Sequence, residues 1–148
     1  VWSFAMADGD ANDHSKVFRF EVKLEELEEN EYFKVQSEVK RINGFPLKLR
    51  AVIWDPLIWD PFEDVSAELV CDRELMESNV WECDVEGEMT LVNRTNYAQS
   101  QSEVFDACLS NEQCNWYAIA LSSDECYIAH NKLLIEAKIN VKGNADRY

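Results

Sequence analysis

Four stretches of this chain alternate apolar and polar residues with a period of two, and that pattern restricts the fold more than any other feature. Phe18, Phe20, Val22 and Leu24 face one way, and Arg19, Glu21 and Lys23 face the other. Leu47, Leu49, Ala51 and Ile53 alternate with Lys48 and Arg50. Trp81, Cys83, Val85, Met89 and Leu91 alternate with Glu82, Asp84, Glu86 and Glu88, and Leu133, Ile135, Ala137, Ile139 and Val141 alternate with Glu136, Lys138 and Asn140. Successive side chains of an extended strand point to opposite faces, so each stretch reads as a strand with one buried and one wetted face, the mark of antiparallel sheets. Weaker strand signals lie at Tyr32–Ile42, Ser66–Asp72, Trp116–Leu121 and Cys126–Ala129. Turn signals at Asn43-Gly44, Asp55-Pro56, Asp60-Pro61 and Ser122-Ser123-Asp124 separate the stretches. The helix-like segments Leu24–Asn30 and Val104–Leu109 are too short to stand alone. Seven to eight short strands without intervening helical units predict an all-β antiparallel β-sandwich.

At 148 residues the chain is long enough for one domain with a buried core. Five Trp, seven Phe and five Tyr make it too apolar for disorder. The net charge of -15 repels phosphate backbones and anionic lipid surfaces, which argues against nucleic-acid and membrane partners. No apolar run approaches the ~20 residues a membrane span needs. The charge is uneven: residues 1–88 hold 22 acidic and 9 basic residues, whereas residues 89–148 hold 7 and 5. The second half is therefore nearly neutral, which bears on the choice of a binding edge. Residues 1–16 read as a flexible leader or vector remnant opening with the apolar Val-Trp-Ser-Phe, residues 17–143 as the domain, and residues 144–148 as a tail. There is no secretory pattern and no C-x-x-C or zinc spacing among Cys71, Cys83, Cys108, Cys114 and Cys126, so free thiols and a cytoplasmic or nuclear location are expected. Asn93-Arg94-Thr95 is a glycosylation triplet of a kind that recurs by chance.

Catalytic chemistry finds little purchase. The two histidines are His14, in the leader, and His130, in a turn before the last strand; no nucleophile motif or phosphate cradle accompanies them. The row Glu82, Asp84, Glu86 and Glu88 would project from one side of a strand, where solvated surface is the commoner role than a carboxylate pair or metal site. Cys83 shares its face with Trp81 and Val85 and reads as core, while Cys108 and Cys114 flank a turn and would pair only if oxidised. No enzyme, cofactor or metal is expected. Trp54 and Trp59, in a doubled Trp-Asp-Pro, either form a second binding surface or fold back over the end of the sandwich.

The order of landmarks from Phe18 to Val141 resembles the MATH (TRAF-like) domain, in the form expanded in nematodes. Phe18-Arg19-Phe20-Glu21-Val22, then Leu27 and Tyr32, is similar to its opening strand and connection. Ile42-Asn43-Gly44-Phe45-Pro46-Leu47-Lys48-Leu49 resembles its glycine-then-tryptophan strand, with Leu47 in place of Trp. Trp81-Glu82-Cys83 leading to Met89-Thr90-Leu91-Val92-Asn93 resembles its W-x-C…L-x-x-x-N strand. Asn115-Trp116-Tyr117-Ala118 resembles D-W-G-F, with Tyr and Ala replacing Gly and Phe. Asn131-Lys132-Leu133-Leu134 resembles the D-D-K-L of the final strand.

The resemblance implies an eight-stranded TRAF-like sandwich acting as a non-catalytic adaptor. It would bind short extended peptides of partner proteins in a shallow groove by strand addition, in the family often for ubiquitin ligases or deubiquitinases. Carried over position by position, the groove is Glu68, Gly87, Glu103, Trp116, Tyr117 and Ala118. Among the carried-over pocket positions Glu68, Gly87, Glu103, Trp116 and Ala118, only Trp116 keeps the aromatic character usual in relatives. Glu68 and Glu103 predict a basic or Ser/Thr-rich peptide. The alternative is a scaffold or oligomerisation module acting through the Trp-Asp-Pro loop or the Val-Trp-Ser-Phe segment.

Overall fold

The computed structural model describes residues 15–23, 32–54, 65–121, 125–130 and 132–143, with the backbone alone at 32, 33, 54 and 125. Among the described residues ten strand segments run in chain order: β1 Ser15–Lys23, β2 Tyr32–Gln36, β3 Lys40–Ile42, β4 Phe45–Trp54, β5 Val65–Cys71, β6 Glu82–Leu91, β7 Gln101–Ser110, β8 Trp116–Leu121, β9 Ile128–Ala129 and β10 Lys132–Val141. Sheet A has the order β1-β10-β6-β7, with the short β9 also on β10. Sheet B has the order β2-β4-β5-β8, with β3 also on β4. Every pairing is antiparallel. This is the expected all-β sandwich.

The alternating stretches explain the core. Phe18, Phe20 and Val22 of β1, Leu47, Leu49, Ala51 and Ile53 of β4, and Leu133, Ile135, Ala137, Ile139 and Val141 of β10 all enter one apolar cluster between the sheets. Trp81 caps it with Cys83, Val85, Met89 and Leu91 from β6. The strand count exceeds expectation because Tyr32–Ile42 is divided. Ser37 interrupts it, donating its N–H to the Leu49 carbonyl (2.8 Å) and accepting the Leu49 N–H on Oγ (2.9 Å). Asn43 and Gly44, with φ of 53° and 90°, make the two-residue turn between β3 and β4, a geometry in which both central residues must tolerate positive φ.

Two expectations change. Val104–Leu109 is not helical but lies within β7, where Phe105, the partly buried Ala107 and Leu109 face the core at period two and each residue opposes one of β6. Pairing with β6 outweighs a local pattern too short to nucleate a helix. Ser15 and Lys16, assigned to the leader, pair with Asn140 and Ile139 and so belong to sheet A. Leu24–Asn30, the Asp55-Pro56 and Asp60-Pro61 turns, and Ser122-Ser123-Asp124 lie outside the described residues.

Candidate functional site

The side of the sandwich bounded by β7 and β8 is shaped by one short connection. Ser110 donates its N–H to the Cys114 carbonyl (3.0 Å), and Asn111 ties back to Trp81, accepting the Trp81 N–H on Oδ1 at 2.8 Å. Asn115 then sets the phase of β8. Its carbonyl accepts the Cys71 N–H at 2.8 Å and its Nδ2 donates to the Cys71 carbonyl at 3.0 Å. Antiparallel pairs alternate between bonded and non-bonded. Tyr117, Ile119 and Leu121 therefore exchange bonds with Leu69, Ala67 and Val65, whereas Trp116, Ala118 and Ala120 turn their N–H and C=O groups away from β5. Among the described residues no strand pairs with the other side of β8, so those groups face away from sheet B, and the Trp116 carbonyl accepts from the Cys114 thiol at 3.2 Å.

The same alternation sorts the side chains. Ile119 and Leu121 are buried and Tyr117 packs against the core, while Trp116 is 41% exposed on the outer face. Tyr117 stacks on Phe105 of β7 at 5.3 Å between centroids, closing the gap between the sheets behind the edge. On the outer face Glu68 stands opposite Ala118 on one side and Arg50 on the other. It is only 8% exposed and forms an ion pair with the Arg50 guanidinium, which lies 6.0 Å from the centre of the Trp116 ring. The pair is closed on itself, and the guanidinium supports the indole through cation–π attraction.

Of the expected groove residues, the structure brings Glu68, Trp116 and Ala118 onto one surface. Tyr117 lies on the opposite face of the same strand, as inner wall rather than contact surface. Gly87 and Glu103 belong to sheet A. Gly87 lies where β6 runs close to β10: a Cβ there would sit 2.1 Å from the Lys138 carbonyl oxygen and 3.2 Å from the Phe105 ring. Glu103 is exposed on β7 opposite Met89. Trp54 ends β4 with its backbone paired to Tyr32, and its side chain, like the whole of Trp59, lies outside the described residues. Two residues that matter here escaped the sequence reading. The sequence marks Arg50 only as an outward-facing strand residue, and Phe105 lies in a segment whose local pattern also fits a short helix.

The remaining candidates resolve simply. Asn93 of the glycosylation triplet is 6% exposed, and its Oδ1 accepts from the N–H groups of Thr95 and Asn96 and the Thr95 hydroxyl. It caps a turn. Burial pushes the Cys71 thiol up to about 12 and raises Cys83 as well. Desolvation and a hydrogen bond with Asp84 raise Cys108, so none of these three is primed as a thiolate. His130 sits in a turn at φ 53°. Among the described residues no group of three or more His, Cys, Asp or Glu could hold a metal ion, and no helix is long and apolar enough to cross a membrane.

Fold and edge together define an antiparallel β-sandwich with an accessible aromatic-bearing terminal strand. No protein-family model matches the chain, and no curated protein matches it.

Proposed function

We propose that this domain is a non-catalytic interaction module that takes an extended peptide of a partner protein as an added strand on β8. The observation that carries the reading is Trp116, an indole 41% exposed on a terminal strand whose Trp116, Ala118 and Ala120 backbone groups point away from their sheet. Main-chain hydrogen bonds would supply generic affinity, and the indole a desolvated anchor. The resemblance to MATH domains supports the same mode and suggests substrate recognition for ubiquitin ligase or deubiquitinase machinery. Because Arg50 already engages Glu68, the surface around Trp116 favours a hydroxyl-bearing peptide over a strongly basic one.

A peptide array that includes Ser/Thr-rich sequences, read with wild type, Trp116→Ala and Ala118→Pro, tests the reading. Trp116→Ala is expected to weaken retained peptides by about thirtyfold. Ala118→Pro removes an outward N–H without costing a bond to β5, and is expected to abolish the same signals. Retention of the array pattern by both variants would mean that β8 is not the binding strand.

A further inference from the structure

Among the described residues the other strand on this side, β7, also ends its sheet. The Asn111 N–H bonds the Trp81 carbonyl, which sets the phase of the β6–β7 ladder. Ser102, Val104, Asp106 and Cys108 consequently turn their backbone groups away from β6. Behind this edge a groove of about 930 Å3 crosses the outer face of sheet A, floored by Gly87 and Phe105. Along one wall the polar groups satisfy one another. Ser15 Oγ donates to Asn140 Oδ1, Asn140 Nδ2 donates to Glu86 Oε1 (both 3.0 Å), and Lys142 Nζ lies 3.9 Å from Glu86 and 3.1 Å from Asp106. The next row, Val17–Lys138–Glu88–Val104, is not closed in this way. Val104 is 79% exposed, and the ion pairs among the described residues involve none of Glu82, Asp84 and Glu88, Asp84 being hydrogen-bonded to the Cys108 thiol.

We propose that the β7 edge and the groove behind it dock a lysine- or arginine-rich extended segment of a protein partner. Added beside β7, such a segment would place alternate side chains on the outer face next to Val104 and Asp106. Strands lie about 4.8 Å apart, so a long cationic side chain can run its aliphatic stem over Val104 and bring its charge to Glu88 on the strand beyond. Lys138 opposite Glu88 and Lys16 also line the groove, but Glu82, Asp84 and the exposed Glu103 add acidic charge along the β7 side, which favours a basic partner there. The site is separate from β8 and does not rest on the Trp116 reading.

The test uses the whole 148-residue chain and a labelled octapeptide alternating lysine and valine, followed by anisotropy. Controls replace lysine by glutamate or N-methylate alternate backbone nitrogens. The lysine peptide is expected to bind and to weaken with salt, and the two controls to fail. Glu88→Lys is expected to weaken binding about fivefold. Val104→Pro, which deletes an outward N–H, is expected to abolish it, and Trp116→Ala to leave it unchanged. No binding, equal binding of the N-methylated peptide, or loss with Trp116→Ala but not with Val104→Pro would overturn the proposal. Should Val104→Pro lose its far-ultraviolet circular dichroism, Glu88→Lys and the N-methylated peptide decide the matter.

Discussion

The two long sides of the sandwich are finished differently. On the side of β1 and β3, Lys40 reaches across from sheet B, donates its ammonium to the Val17 carbonyl at 3.1 Å and lies 5.1 Å from the centre of the Phe18 ring. One side chain thus occupies an outward acceptor of the β1 edge and covers an aromatic of the core. On the side of β7 and β8 the closure is internal. Phe105 and Tyr117 stack between the sheets. The Cys114 segment takes only the near ends of the two terminal strands, its thiol donating to the Trp116 carbonyl (3.2 Å) and its carbonyl accepting the Ser110 N–H. The outward groups of Val104, Asp106, Ala118 and Ala120 face away from their sheets. An unpaired edge invites association, and native proteins blunt it, often with lysine. This molecule blunts one side and leaves the other seated on an aromatic wall, so stability and accessibility there depend on different residues.

The largest effect should come from breaking that wall. Phe105 is buried, and Phe105→Ala removes the stack and leaves a void between β7 and β8, at a cost of about 4 kcal/mol. Urea titration measures it, and a loss below about 1 kcal/mol would mean the open side closes without the ring. Next comes alkaline pH, which strikes both sides through the shared core. The Cys71 thiol is raised from 9.0 to about 12, so the folded protein holds a proton that the unfolded chain releases. Its contribution is complete below pH 9 and declines as pH climbs toward 12. Between pH 8 and pH 10.5 the domain should lose about 2 kcal/mol through Cys71, with Cys83 acting in the same direction. Cys71→Val should flatten that decline in parallel urea titrations, and an unchanged slope would assign the alkaline loss to other groups.

Much of the fold was legible because burial on one face leaves a period-two trace in a single sequence, as in β1, β4, β6 and β10. The edges were harder to read. Whether β8 ends a sheet depends on which strands pair, and no residue within Trp116–Leu121 records that. Gly87 and Glu103 were grouped with Trp116 by resemblance, but the register places them on sheet A. Glu68 looked like an open carboxylate because its partner Arg50 stands 18 positions away, and only the β4–β5 register joins them. Phe105 sits in a short segment whose local pattern fits helix or strand equally well, and the pairing with β6 decides it.

On the blunted side the expected effect is smaller. Lys40→Met keeps most of the aliphatic stem over Phe18 but removes the ammonium, which should cost about 1 kcal/mol. The more telling readout is hydrogen exchange: peptides covering Val17 to Arg19 should become less protected, while those covering β7 and β8 should not change. If protection fell equally on both sides, the edges would open as one unit and the contrast between them would fail.

Smallest of all should be the change in stability on removing Trp116, and that smallness sharpens the comparison most. The indole is partly exposed, and its identified support is the guanidinium of Arg50, itself held by Glu68. Trp116→Ala is therefore expected to cost about 0.5 kcal/mol, the scale of an exposed cation–π contact. Its neighbour Tyr117, one residue on but facing inward, should cost several times more when replaced by Ala, since the stack with Phe105 goes with it. Measured together by thermal melting, the two variants separate a residue placed for contact from one placed for packing. Comparable losses would mean that the indole braces the sheet, and that the accessible side of the sandwich has no residue reserved for a partner.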